Sequence, residues 1–333
     1  MDTSTHLFAP PDLGDDQFIG AVCGLRPCRE GGVRLEIEPM GTKHIVHNYG
    51  HGGCGVTISL GTAEIAANLV DQIADRDTPI AVLGAGVVGL TTARELLMRG
   101  YSVSIYAQEI ARNTTSMLAG ALWLHTGLDF GDSPREQALK HEILIRSRAG
   151  FRSIDRQRFG VEELPVFEPA ETQTDDALFA DCVIEPPIQI DAFPFPCHAN
   201  PGRMFTTDFI HTPRFLDALV EEITQLGGEF HQRTIGSREE LLSFEQAVLV
   251  NCMAMSSDLI FDDDQIYSAR GVLVHMKPQR LGYCIHDGYK YMFPREDALI
   301  LGGCFQDGRL DDEPDEKMVQ EILTHHRRFF DQF

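Results

Sequence analysis

Basic residues are scarce in this chain. Against 50 Asp and Glu there are 28 Lys and Arg, a formal net charge of −22 over 333 residues. A surface that negative repels phosphate backbones, which argues against nucleic acid as a partner and leaves room only for a local basic pocket around a small anion. Paired cysteines are missing too. The eight cysteines (Cys23, Cys28, Cys54, Cys182, Cys197, Cys252, Cys284 and Cys304) show no C-x-x-C spacing. Free thiols of a reducing compartment are therefore expected, without a disulfide framework or a metal site. No run of 18 apolar residues is present to cross a bilayer, so no membrane partner is expected. The opening MDTSTHLFAPPDLGDD has neither the basic nor the apolar stretch of a secretory signal. The closing RRFFDQF is not a peroxisomal tripeptide. No internal repeat stands out. These absences lead to the expectation of a cytoplasmic, soluble protein. The remainder is ordinary for a globular chain, 43% hydrophobic and 23% charged, and long enough for one large or two medium domains.

Periodicity gives a coarse map. Residues 1–20, broken by Pro10-Pro11, read as a tail. A short strand at 45–49 runs into a Gly-rich turn, and 60–74 has apolar and small residues at helical spacing. A breaker at 75–79 precedes a buried strand at 79–83, a helix at 87–99 with Gly100 at its C-cap, and a second strand at 102–106. Residues 134–158 read as a helix, and 165–201 as irregular and rich in Pro and Phe. Later come a helix at 213–226 with Pro213 in its first turn, a strand at 247–251, strands at 271–276, 289–293 and 298–302, and a helix at 317–333.

Gly84, Gly86 and Gly89 form G-x-G-x-x-G between the strand at 79–83 and the helix at 87–99. The first glycine permits a tight turn, the second lets a pyrophosphate reach the backbone, and the third lets helix and strand pack closely. The helix then offers N–H groups and the positive end of its dipole to the phosphates. This predicts dinucleotide binding without deciding between NAD and FAD. The second strand ends Tyr106-Ala107-Gln108-Glu109, where an acidic residue would meet a ribose; Gln108, or Glu109 displaced by one, can take that hydrogen bond.

Further segments carry a resemblance. Leu25-Arg26-Pro27 with Val33-Arg34-Leu35-Glu36, His47-Asn48-Tyr49-Gly50-His51-Gly52-Gly53, Asn113-Thr114-Thr115-Ser116 with Ala119-Gly120-Ala121-Leu122-Trp123, and Tyr291-Met292-Phe293-Pro294 with Leu301-Gly302-Gly303 together resemble the D-amino-acid oxidase family from about residue 22 onward. The order is unusual. In the family the Gly-rich unit is N-terminal, whereas here the G-L-R-P and HNYGHGG pieces precede it. The chain resembles a circular permutant in which residues 75–78 join the old ends and the new termini lie together on the surface, a rearrangement with little closure cost.

The resemblance implies an α/β fold: a Rossmann-type FAD-binding domain at 21–123 and 206–268, and a mixed-sheet α+β substrate domain at 124–205 and 269–333. It implies FAD as cofactor, an amino acid and oxygen as small-molecule partners, and oxidation of D-amino acids. In that reaction hydride passes from the α-carbon to flavin N5, an imino acid forms, and reoxidation by oxygen yields hydrogen peroxide. A glycine or N-methyl amino-acid oxidase, a flavin dehydrogenase and a non-catalytic scaffold remain open, as does a homo-oligomer. By the same resemblance Arg26 would clamp the substrate carboxylate, Tyr291 would donate to it, and the Gly53 carbonyl would accept from the amine. Gly52 and Gly55 would make room for the ring. Val56 and Thr57 would donate to the flavin O2 edge, and Thr114, Thr115, Ser116 and Gly120 would line the cofactor. Ile235 would meet adenine through its backbone. His51, Arg29 and Arg34 (the last with Glu36) are expected to be structural, and Cys54 a buried thiol. Leu124 and Phe293 would make the substrate pocket apolar. The family's lid looks shortened, with Tyr289 standing near its gate tyrosine, and Ala254 replaces a family glycine.

Overall fold

The computed structural model describes residues 7–126, 130–172, 179, 183–196 and 200–332. Two sheets organise them. The smaller has six strands in the order β2-β3-β10-β4-β5-β9: β2 (Arg34–Met40), β3 (Lys43–Tyr49), β4 (Ile80–Ala85), β5 (Val103–Ile110), β9 (Glu229–Gln232) and β10 (Val248–Asn251). All but the antiparallel edge strand β2 run parallel. Helices cover this sheet, so its central strands are apolar on both faces: every residue of β10 is buried, and only Gly84 of β4 is not.

Helix α1 (Gly55–Val70) carries the chain from β3 to β4, and α2 (Val87–Met98) from β4 to β5. The short turn at 75–78 closes with a Thr78 N–H to Asp75 carbonyl bond of 2.9 Å. α1 starts five residues earlier than its periodicity suggests. A Cβ on Gly61 would overlap the Ile143 carbonyl of α3 (Pro134–Ser153), and one on Gly150 would lie 2.9 Å from Leu60. The small residues of α1 thus serve close helix contact. Gly100, at φ +91°, follows α2 as expected of a helix stop.

The larger sheet has the order β1-β11-β14-β13-β12-β6-β8-β7, with β15 added on β11. Its strands are β1 (Phe18–Arg29), β6 (Val161–Pro169), β7 (Ile188–Ile190), β8 (Gly202–Ile210), β11 (Ile266–Met276), β12 (Cys284–Asp287), β13 (Lys290–Pro294), β14 (Leu299–Gly302) and β15 (Gln306–Asp307). Alternation divides its two faces. Val272, Val274, Met276, Ile285, Met292, Leu299 and Leu301 pack on one side against Val319, Ile322 and Leu323 of the helix Glu316–Phe329. The other face looks toward the parallel sheet.

Three expectations need correction. Residues 7–20 are not a tail: Phe8 packs on Phe167, Phe195 and Tyr283, Leu13 is buried, and β1 begins at Phe18. The Pro-Pro break had hidden a segment held by distant aromatic contacts. The domain limits also shift. β1 pairs with β11 and β8 with β6, so 21–29 and 206–210, expected in the nucleotide unit, lie in the larger sheet. The stretch 165–201 is only partly irregular, since β6 runs to Pro169 and β7 lies within it. The two termini lie outside the described residues, but the segments near them meet: the Leu13 N–H donates to Gln332 Oε1 at 3.0 Å, and Arg327 reaches the Leu13 carbonyl at 2.9 Å and Asp15 at 2.6 Å.

Three buried histidines brace this architecture in neutral form. His47 bonds Glu38 and Asn251, His51 bonds Thr62, and His326 bonds the Gly302 carbonyl. Burial pushes their pKa values down, to about 4 for His47 and about 3 for His51 and His326. An unfolded histidine titrates near 6.5. Folded values depressed below that mean the stabilisation is whole above about pH 6.5 and is lost as pH falls toward 4. Each ring should cost about 2 kcal/mol of stability by pH 5. Urea denaturation at pH 7 and pH 5 checks this; equal stability at the two would contradict neutral buried rings.

Candidate functional site

A cleft of about 800 Å³ runs between the C-terminal ends of the parallel strands and the open face of the larger sheet. Open α/β sheets bind ligands at such strand ends, where the chain direction divides. Here β4 feeds β5 on one side while β10 lies on the other.

The Gly-rich turn follows β4. Gly84 has φ +103°, and a Cβ there would lie 2.5 Å from the Cys252 carbonyl at the end of β10, so only glycine suits the turn. Gly86 caps α2 without a side chain, and a Cβ on it would come 3.1 Å from Ser116 Oγ. That hydroxyl accepts from the Val87 N–H at 2.9 Å. A Cβ on Gly89 would overlap the Gly84 carbonyl, which sets the helix against the strand. Gly84, Gly86, Gln108, Thr114, Thr115, Ser116 and Ile235 all line the cleft; Gly89 does not, and acts through packing.

The middle of the cleft is floored by the turn after β3. Gly52, Gly53, Gly55, Val56 and Thr57 line it, with Gly120 on the opposite wall. α1 begins at Gly55 with no side-chain cap, so its first amides and dipole end open near the cleft. A Cβ on Gly120 would lie 2.6 Å from the Phe293 ring.

The far end is built on glycines. The Arg26 guanidinium lies over Gly271, where a Cβ would come within 2.6 Å, and the Tyr291 ring covers Gly302 so closely that a Cβ would overlap it. Gly271 of β11 and Gly302 of β14 thus leave a trough in which groups from β1 and β13 converge. Arg26 donates to the Cys304 carbonyl at 3.2 Å and stands 5.5 Å from the Phe305 ring. Among the described residues it forms no ion pair. Tyr291 stacks on Phe293 with ring centroids 4.5 Å apart. Burial raises the Tyr291 pKa, while the charge and hydrogen bond of Arg26 oppose the rise. The phenol is therefore a neutral donor beside an unpaired guanidinium, an arrangement that fits a carboxylate. Leu124 and Phe293 line this end and are buried.

The residues expected to be structural sit as expected. Arg34 pairs with Glu36 at 2.6 Å, and Arg29 with Asp263 at 2.9 Å. His51 is fixed to Thr62. Cys54 is buried, with its thiol pKa pushed up to about 12 by burial, too high for a reactive thiolate. The hairpin between β12 and β13 has only Gly288 and Tyr289 at its tip; Tyr289 is exposed and packs near Phe305. Sequence reasoning passed over Arg233, Phe305 and His286, which also line the cleft.

Ala254, also in the cleft wall, has φ +53°, in the left-handed region that favours glycine. A Cβ in that conformation is strained, so Ala254→Gly should raise stability by roughly 0.5–1 kcal/mol. Thermal melting reads this directly, and a lower melting temperature would contradict it.

A family model described as FAD dependent oxidoreductase matches residues 79–333. The D-amino-acid oxidase of Rubrobacter xylanophilus is 29% identical over 255 residues, covering 73% of this chain and 74% of that protein. Human D-aspartate oxidase is 30% identical over 257 residues, covering 74% of each. Among solved structures, glycine oxidase from Bacillus cereus superposes with a TM-score of 0.53 at 14% identity, over 75% of this chain and 77% of that one, a likeness of fold.

Proposed function

From the premise that the chain belongs to the FAD-dependent oxidoreductase family of D-amino-acid oxidase type, we propose that it oxidises D-amino acids with neutral side chains in the cleft described. The observation that carries this reading is the Arg26 guanidinium. It has no carboxylate partner among the described residues, stands beside the Tyr291 phenol, and opens on the same cleft as the Gly-rich turn.

The residues fit FAD. Gly84 and Gly86 leave backbone exposed where a pyrophosphate would lie, Gln108 and Ile235 stand at the nucleotide end, and the Gly52–Gly55 floor leaves room for a flat ring. When bound, FAD supplies the two-electron acceptor. The chain does the rest by holding the substrate. Arg26 and Tyr291 fix the carboxylate, and the Gly53 carbonyl accepts from the amine. With two ends fixed, chirality at the α-carbon decides which bond faces the ring. The first turn of α1, at Val56 and Thr57, presents positive dipole to negative charge arising on the cofactor. Leu124, Phe293 and Phe305 exclude water. No second Arg or Lys lines the substrate end among the described residues, so a side-chain carboxylate would lack a permanent cation.

We read the element order as a circular permutation. Two observations support it: the family model begins at residue 79, and the segments around Leu13 and Gln332 are hydrogen-bonded together. Six buried free cysteines support the reading of a reducing, cytoplasmic setting.

Anaerobic titration of the FAD-loaded protein tests the activity. Flavin absorbance should bleach with D-leucine or D-methionine and not with the L-enantiomers, and air should restore it with release of peroxide. No bleaching with any D-amino acid would overturn the proposal.

A further inference from the structure

One buried arginine ties the substrate end of the cleft to its cofactor end. Arg295 leaves β13 directly after Pro294 and is 1% exposed. Its Nη1 donates to the Met117 carbonyl at 2.8 Å, the Ala119 carbonyl at 3.2 Å and the Thr212 hydroxyl at 2.9 Å. Nε and Nη2 donate to the two carboxylate oxygens of Asp297, at 2.6 and 2.8 Å. Met117 and Ala119 lie at the end of the short helical turn Thr115–Leu118. Such a turn leaves its last carbonyls without donors of its own, and Arg295 supplies them. Drawing a guanidinium out of water costs more than burying an apolar side chain of the same bulk, even with its partners met. Its effect here is orientation.

What it orients is the loop 111–121, from which Asn113, Thr114, Thr115, Ser116 and Gly120 line the cleft. Both ends of that loop are strained. Ala111 has φ +50° and Ala121 φ +58°, conformations that persist only where the surroundings impose them. On one side the loop meets the clamp strand: a Cβ on Gly120 would lie 2.6 Å from the Phe293 ring and 3.3 Å from that of Tyr291. On the other it meets the Gly-rich turn, where Ser116 Oγ accepts from the Val87 N–H. The Arg295 guanidinium grips the carbonyls between these two contacts. The strand that carries the clamp tyrosine therefore also sets the loop against which the cofactor must lie.

We propose that Arg295 is a positioning residue that fixes the cofactor loop in register with the substrate clamp. Its part in FAD binding follows from the family, and its part in turnover rests on the amino-acid oxidase reading above. Held from behind, the hydroxyls and amides of Thr114, Thr115 and Ser116 meet the cofactor already ordered, so binding loses less conformational freedom. In turnover the same bonds keep cofactor and clamped substrate in one frame. The effect then falls on kcat rather than on carboxylate binding.

Arg295→Met tests this, since it removes the donors and keeps much of the bulk. Titration with FAD, read by fluorescence quenching, should show affinity weakened about tenfold or more, because ordering the loop then falls on the binding step. In the FAD-loaded protein kcat for D-methionine should fall about tenfold, with KM and the benzoate dissociation constant within about twofold of wild type, since Arg26 and Tyr291 stay in place. Arg295→Lys keeps the charge and loses the fork to Asp297, so it should recover part of both effects. Thr212→Val removes only the shared hydroxyl and should weaken FAD binding in the same direction. It serves if Arg295→Met does not fold, and unchanged FAD affinity there overturns the inference. A folded Arg295→Met with FAD affinity and kcat both within about twofold of wild type overturns it too. So does a loss of benzoate binding that matches the loss of kcat, which would make Arg295 a general fold residue. A wild-type flavin that no D-amino acid reduces overturns the oxidase reading, and the FAD titration still decides this inference.

Discussion

Replacing Arg26 with alanine is expected to lower kcat/KM for D-amino acids about a thousandfold, mostly through KM, while the protein stays folded and yellow. Charge-assisted, bidentate contacts between guanidinium and carboxylate are among the strongest available to a binding site, and a loss of about 4 kcal/mol corresponds to that factor. The fold should tolerate the change because Arg26 balances no buried carboxylate among the described residues. It bonds the Cys304 and Ala269 carbonyls, at 3.2 and 3.5 Å, and the Tyr291 hydroxyl. Arg26→Lys keeps the charge and loses the fork, so it should recover only part of the effect. Steady-state kinetics with D-methionine, and benzoate binding read from the flavin spectrum, check both variants. Unchanged KM for Arg26→Ala would remove the guanidinium from the substrate site.

Gly86→Leu should abolish FAD retention and leave the chain folded. Its backbone, at φ −75° and ψ −177°, suits any residue, so no strain follows from the substitution itself. The new side chain would instead enter the space beside Thr114 and Ser116 where a pyrophosphate must approach the backbone. Losing those amide contacts should weaken binding by at least about a hundredfold, or ~3 kcal/mol. Gly84→Leu makes a useful contrast: at φ +103°, hard against the Cys252 carbonyl, it should damage the fold as well. FAD titration by fluorescence quenching separates the two, with far-ultraviolet circular dichroism as the folding control. Tight FAD binding by Gly86→Leu would contradict the assigned turn.

Local signals in the sequence were enough for the cofactor half. G-x-G-x-x-G, the apolar strand before it and the helix after it act through neighbours in the chain, and the structure keeps each role, including that of Gly89 as a packing residue outside the cleft wall. Arg26 and Tyr291 were legible because they sit in distinctive stretches. The trough that joins them was not. Gly271 and Gly302 look like ordinary strand glycines until the register of β11 and β14 shows what passes over them. His286, Glu168 and Arg203 were hidden for the same reason, since three strands with separate histories in the chain bring them into one row. β8 and the segment around Leu13 were missed because long-range aromatic and backbone contacts, not local pattern, hold them. Phe167 alone touches Phe8, Phe193, Phe195 and Tyr283, from three separate stretches of the sequence.

The central claim is that an arginine from the first strand and a nucleotide turn encoded some sixty residues later serve one ligand-filled cleft. A crystal structure of the FAD complex with benzoate tests it most directly. The account predicts paired hydrogen bonds from the Arg26 guanidinium to the benzoate carboxylate, the Tyr291 hydroxyl on the same group, and the pyrophosphate seated at Gly84–Gly86. A benzoate held elsewhere, or a flavin ring lying away from Gly53, would contradict it.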